Sequence, residues 1–247
     1  MFRISVELVP RQKETFIKDL KRVKENFPAV DTINIPDILR YEINSLEGCK
    51  LALPFFTHLI PHLRAIAVDK RKPLPFKDFL IGNGIKEVLV VRGEQKSSSY
   101  EKANVCSTLE LIKKFKQEMH EIKVYAALDP YRTSFEEECE YVYQKIDMGV
   151  EGFFTQPFFD LNLVECYLKK LNSVKIFWGI SPVVSLRSKH YWETKNNVKF
   201  PPDFELTLEG NKKFAASLIK LVKERENSHV YFMPIKMDVV EYLAGII

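Results

Sequence analysis

The chain has 247 residues, 46% of them hydrophobic and 28% charged, an ordinary globular balance. No apolar run reaches 18 residues, which argues against a membrane helix, and no basic, apolar leader opens the chain, so a secretory signal is not expected. The 37 Lys and Arg stand interleaved with 33 Asp and Glu, and the resulting net charge of +4 is too mild and too dispersed for a nucleic-acid face.

Residues 2–9 alternate and are rich in β-branched side chains, so they predict a strand that Pro10 ends. Phe16, Leu20 and Val23 among charged residues predict an amphipathic helix over 12–26. A second strand is expected over 30–35, then a helix over about 38–47 running irregularly to residue 58, then a third strand over 62–68. The rhythm repeats: helix 77–83, strand 86–91, helix 107–117, strand 122–128, helix 134–148 capped by Thr133 or Ser134. Strand 152–155, helix 161–171 and strand 174–180 follow. Helix 209–225, strand 229–233 and helix 237–243 close the chain.

Eight strand–helix units in about 250 residues predict a (β/α)8 TIM barrel spanning residues 1–247 as one domain. The rival, an open doubly wound sheet, would bring a GxGxxG or GxxxxGK[ST] turn after its first strand, and neither occurs. The four cysteines have no metal or redox spacing, which suggests reduced thiols in the cytoplasm. Cys49, Cys139 and Cys166 are expected to pack as small hydrophobes. The run Lys70-Arg71-Lys72 reads as a solvated loop.

In such barrels the chemistry sits at the C-terminal strand ends. There the sequence places Glu7, Asn34, Asp37, Asp69, Arg92, Gly93, Glu94, Asp129, Thr155, Gln156, Asp160, Ser181 and Lys236. No His or Asp cluster suggests a metal, and no GxSxG suggests a serine nucleophile. Glu7 lies inside an apolar strand. If buried it would have a raised pKa and suit a general acid; the alternative is a structural ion pair. Gln156 offers a donor and an acceptor together, as a heteroaromatic edge requires. Phe158 and Phe159 could stack on a ligand or fill core. Arg92 could pair with an anion where Gly93 permits close approach. His58 and His62 are separated by Pro61 and do not suggest a shared metal, and His190 reads as loop packing beside Tyr191 and Trp192.

Several segments resemble the methylenetetrahydrofolate reductase family. Ser5-Val6-Glu7-Leu8-Val9-Pro10 is similar to its S-F-E-F-F-P first strand, and Pro61-His62-Leu63 to its P-H-L-T segment. Val91-Arg92-Gly93-Glu94 resembles L-R-G-D. Lys145-Ile146-Asp147-Met148-Gly149-Val150, followed by Thr155-Gln156-Pro157-Phe158-Phe159-Asp160, resembles K-x-D-A-G-A and T-Q-x-F-F-D. Gly179-Ile180-Ser181-Pro182 is similar to G-I-x-P, and residues 230–236 to F-Y-T-L-N-R.

The resemblance implies a barrel holding FAD, which passes a hydride from NAD(P)H to 5,10-methylenetetrahydrofolate and yields 5-methyltetrahydrofolate. It implies Glu7 as general acid and Glu94 at the aspartate position that meets folate and tunes the flavin. Gln156 and Lys236 would bind the folate. His62, Arg92, Gly93 and Lys145 would contact the flavin, and no metal is implied. Departures fall on the flavin side. The A-Y-P-E-x-H-P stretch is shortened to Ala126-Ala127-Leu128-Asp129-Pro130-Tyr131, Tyr141 and Gln144 replace polar or basic contacts, and Leu186 falls near a stacking phenylalanine. FAD is therefore expected on a partly eroded site. The alternative is a folate-binding barrel without a full flavin site, acting as a subunit of a larger redox or methyl-transfer assembly. A homo-oligomer or a partner redox subunit is expected as a possibility of the family, and membrane and nucleic-acid partners are not.

Overall fold

The computed structural model describes residues 1–93 and 104–247. Eight strands close into a parallel barrel in chain order, each hydrogen-bonded to the next and β8 to β1. They are β1 (Ile4–Glu7), β2 (Thr32–Ile35), β3 (His58–Arg64), β4 (Glu87–Val91), β5 (Lys123–Leu128), β6 (Gly152–Pro157), β7 (Ile176–Ile180) and β8 (Ser228–Phe232). The helices are α1 (Lys13–Asn26), α2 (Ser45–Ala52), α3 (Lys77–Gly82), α4 (Thr108–Glu118), α5 (Phe135–Asp147), α6 (Leu161–Lys170), α7 (Leu186–Asn196), α8 (Leu208–Lys223) and α9 (Val239–Leu243). None of them is long and apolar enough to cross a membrane.

Strand alternation divides the apolar side chains into two cores. Val6, Ile33, Leu59, Val88, Val124, Phe153, Trp178 and Val230 face the helices and join one large cluster. Ile60, Leu89, Tyr125, Phe154, Phe177, Tyr231 and Met233 fill the interior. The rings of Phe154 and Phe177 stack with centroids 4.1 Å apart, and Tyr125 sets its edge against both. This aromatic plug separates the C-terminal mouth from the N-terminal floor. A third cluster of Phe159, Val183, Trp192 and Val198 is built from the segments following β6 and β7.

Four expectations need correction. The third strand covers His58–Arg64, four residues earlier than the alternation suggested, and a 3-10 turn at Ala65–Ala67 follows it. Pro61 lies inside it, paired with Ile35, at the cost of one ladder donor. Helix α2 begins at Ser45, because Asn44 and Glu47 form a reciprocal capping box there. Residues 186–196, given no element by the sequence pattern and containing His190 read as loop packing, form α7. It is capped by Ser185 and buries only Trp192, so it lacks the apolar stripe that reveals most helices. Cys166 is exposed rather than packed; Cys49, Cys106 and Cys139 are buried.

Candidate active site

Glu7 ends β1 at the mouth. Val6 points to the helices, and Glu7 meets the interior Tyr231, whose hydroxyl donates to Glu7 Oε2. Burial pushes the carboxyl up to about 7 against the opposing pull of that hydrogen bond, and no cation contributes. Burial and the neighbouring carboxylate push the Tyr231 phenol far up, so it remains a donor. A cleft of about 340 Å³ opens beside Glu7, between α1 and the segment after β8. The carboxyl is thus desolvated yet reachable by exchangeable protons.

Gln156 lies at the mouth end of β6, half-buried, two residues beyond the plug residue Phe154. The β6–β7 register slips between Phe154 and Pro157, a bulge that redirects the strand end. Gly179 permits it. A Cβ there would sit 2.6 Å from the Thr155 carbonyl oxygen and 2.8 Å from that of Gln156. The Gly179 N–H donates to Thr155 Oγ1 at 2.7 Å, which holds the bulge closed. Phe158 and Phe159 are core residues, one under the helices and one in the mouth cluster. Tyr231 connects the two halves of the site: its ring meets Phe154 edge-on at 5.1 Å.

His62 is buried on β3, separated from Glu7's strand by β2. Its Nε2 donates to Asn34 Oδ1 at 3.2 Å, and Asn34 Nδ2 donates to Ser5 Oγ at 2.6 Å. Burial pushes the imidazole down to about 3, so it is neutral. Next to it, Arg64 Nε pairs with Asp37 Oδ2 at 2.6 Å. Gly93 has φ +89°, and its missing Cβ would fall 2.9 Å from the Arg64 Cβ. Arg92 is exposed at the rim, and Lys236 is exposed with φ 58°. Glu94 lies outside the described residues.

Lys145 stands apart from Glu7 and Gln156. It is on α5, 1% exposed, with Nζ donating to the Ala127 carbonyl at 2.6 Å and the Tyr141 ring 3.9 Å away. Burial lowers its amine to about 8. Among the described residues assigned to a flavin, the set does not fit one. His62 donates its one N–H to Asn34, Lys145 is buried with Nζ held between the Ala127 carbonyl and the Tyr141 ring, the space before Gly93 is taken by Arg64, and only Arg92 offers an open cation.

Sequence reasoning passed over Tyr231 and Tyr131. The alternation of β8 could have placed Tyr231 in the interior with Met233. Tyr131, whose hydroxyl donates to the Pro157 carbonyl at 2.9 Å, has no signal outside the folded chain.

A family model described as methylenetetrahydrofolate reductase matches residues 57–230. The chain belongs to the methylenetetrahydrofolate reductase family. The match takes in the five strands β3 to β7, the first part of β8 and Gln156; Glu7, Tyr231 and Lys236 lie beyond it, so the family model says nothing of them. No curated protein matches the chain. Among solved structures, a Clostridium thermocellum protein described as uncharacterised and as binding two copies of 5-methyl-5,6,7,8-tetrahydrofolic acid is similar. It has TM-score 0.69 and 13% identity, over 98% of this chain and 92% of that one. An aldolase, QR15, has TM-score 0.57 and 12% identity over 96% and 92% of the two chains. A 2,3-dimethylmalate lyase has 0.55 and 10% over 90% and 80%. At these identities the likeness is one of fold. It joins this family member to barrels of several chemistries.

Proposed function

We propose that this chain reduces 5,10-methylenetetrahydrofolate to 5-methyltetrahydrofolate with electrons from NAD(P)H. The observation that carries the reading is Glu7: a carboxyl at the mouth, without a cation, held near pKa 7. The bridging methylene must lose one C–N bond before it accepts a hydride. Protonated Glu7 delivers its proton to N10, the C–N10 bond breaks, and its electron pair stays on nitrogen as N10–H. The N5=CH2 iminium then accepts the hydride and becomes N5–CH3. The nicotinamide is oxidised, and one proton from solvent restores Glu7. A group with pKa near the working pH suits this task. Gln156 pairs with the pterin edge, and Glu94 and Lys236 serve the folate. His62 keeps Asn34 and Ser5 in place beneath it.

FAD is the hydride carrier that the family resemblance implies. Because the described donor set does not fit it, no step is assigned to it. The same engaged His62 and Lys145 favour a second reading, a folate-binding barrel that serves a larger redox or methyl-transfer assembly. A cytoplasmic setting, with its four cysteines reduced, belongs to both readings.

The test takes the purified chain through an absorption spectrum and FAD titration, then assays methylenetetrahydrofolate reduction with NADH and NADPH and methyltetrahydrofolate binding by calorimetry. Turnover supports the reductase, and a flavin spectrum would restore FAD to it. Binding without turnover, with or without added FAD, selects the second reading. Neither binding nor turnover overturns both.

A further inference from the structure

The ladder between β5 and β6 ends at Leu128 and Thr155. Strand β6 runs on to Pro157, so Gln156 and Pro157 overhang their β5 neighbour. On the β7 side this overhang is held twice. The Gly179 N–H donates to Thr155 Oγ1 at 2.7 Å, and the Phe158 N–H donates to the Gly179 carbonyl at 3.0 Å. On the β5 side the chain has no backbone donor to offer: the Asp129 N–H is turned to Glu138 Oε1 at 3.0 Å, and Pro130 has no N–H. The Tyr131 hydroxyl takes that place and donates to the Pro157 carbonyl at 2.9 Å.

Tyr131 is itself anchored from three directions. Its backbone N–H donates to Asp129 Oδ1 at 3.0 Å, closing an Asx turn. Glu138, fully buried on α5, holds that turn through Asp129 and takes Arg132 on its other oxygen. The Tyr131 ring packs on the mouth cluster of Phe159, Val183, Trp192 and Val198. Burial keeps the phenol far above its ordinary range against the pull of the Phe159 backbone N–H, so the hydroxyl stays a donor.

A side chain points where the backbone on either side of it directs it, and Pro157 is the next residue after Gln156. We propose that Tyr131 is a positioning residue, whose hydroxyl clamps the Pro157 carbonyl and thereby fixes the direction in which Gln156 presents its amide. The consequence for folate rests on the pterin role proposed for Gln156; the clamp itself does not.

Two measurements on the full chain separate the clamp from that role. Without ligand, the Gln156 side-chain amide is assigned in NMR spectra by its loss in Gln156→Ala. Tyr131→Phe should shift or broaden those signals and leave the Asn26 amide, on α1, in place. Unmoved Gln156 signals overturn the clamp, whatever the folate result. With methyltetrahydrofolate, calorimetry should show Kd raised about tenfold by Gln156→Ala and about threefold by Tyr131→Phe, the worth of a hydrogen bond lost and of one misdirected. Adding Tyr131→Phe to Gln156→Ala should raise Kd no further, because the clamp acts through the missing amide. A general loosening would weaken binding equally in both backgrounds. That additive result, or a Tyr131→Phe chain with native Kd, would overturn the positioning role. An unchanged Kd in Gln156→Ala would refute the pterin role of Gln156 instead, and the NMR signals would still decide the clamp.

Discussion

Two glutamates reach into this barrel from opposite ends, and their surroundings hold them in opposite states. Glu87, on the floor, is buried and Glu7 half-buried, and burial alone would raise the Glu87 carboxyl as well. The bidentate contact and charge of Arg3 outweigh that, helped by Tyr125 and His58, and bring it below the ordinary carboxylate range. Glu7, at the mouth, has one phenol and no cation, so burial wins. Residue type is the same in the two and burial raises both; the partner set separates a lowered carboxyl from a raised one. The cation beside Glu87 favours its charged form, and the want of one beside Glu7 leaves the neutral form favoured.

The largest expected effect breaks the mouth side of this contrast. Glu7→Gln should lower methylenetetrahydrofolate reduction by about 10²–10⁴-fold, the usual worth of a general acid, and leave methyltetrahydrofolate affinity within about twofold. Steady-state rates and calorimetry separate the two; a variant that loses affinity as well would make Glu7 a binding residue. On the floor, Glu87→Gln strands Arg3 and should cost about 3–5 kcal/mol in urea unfolding.

The pH dependence of stability sharpens the comparison. A carboxyl with its folded pKa raised from 4.5 to about 7 favours the folded state fully below pH 4.5, and loses that advantage as pH rises through 7. Relative to Glu7→Gln, the native chain should therefore lose on the order of 3 kcal/mol between pH 4.5 and 8, read by urea unfolding at each pH. A flat difference would show that Glu7 is not buried in solution. His62 acts in the reverse sense: its depressed pKa makes stability fall as pH drops from 6.5 towards 3.

Gly179→Ala tests the bulge beside Gln156. Its methyl would meet backbone oxygen, so a loss of about 1–3 kcal/mol is expected by thermal unfolding, together with weakened folate binding. The smallest effect is the finest probe. Tyr231→Phe removes the one hydrogen bond that favours the Glu7 carboxylate, worth about 1 kcal/mol. The alkaline limb of the rate profile should move up by roughly 0.7 pH units. No movement, or a downward one, would mean that Tyr231 does not set the acidity of Glu7.

The mouth was the more legible end. Glu7 stands in an alternating strand stopped by Pro10, so its position at a strand end followed from local pattern. Gln156 sits in a segment whose residue order is distinctive. The floor was illegible because Arg3 and Glu87 are 84 positions apart and each, alone, looks like an ordinary charged residue beside a strand. The engagement of Lys145 was hidden for a related reason. Its spacing places it on a helix, but the Ala127 carbonyl that holds it belongs to the preceding strand.

By itself the amino-acid order determined the alternation of strands and helices, and with it a parallel closed barrel, because period-2 and period-3.6 apolar patterns are short-range properties of the chain. It also set which residues end the strands. Only closure decided what each of those residues faces. Burial and charge partners come from segments far apart in the chain, and they raise the Glu7 carboxyl, lower that of Glu87 and keep the His62 imidazole neutral.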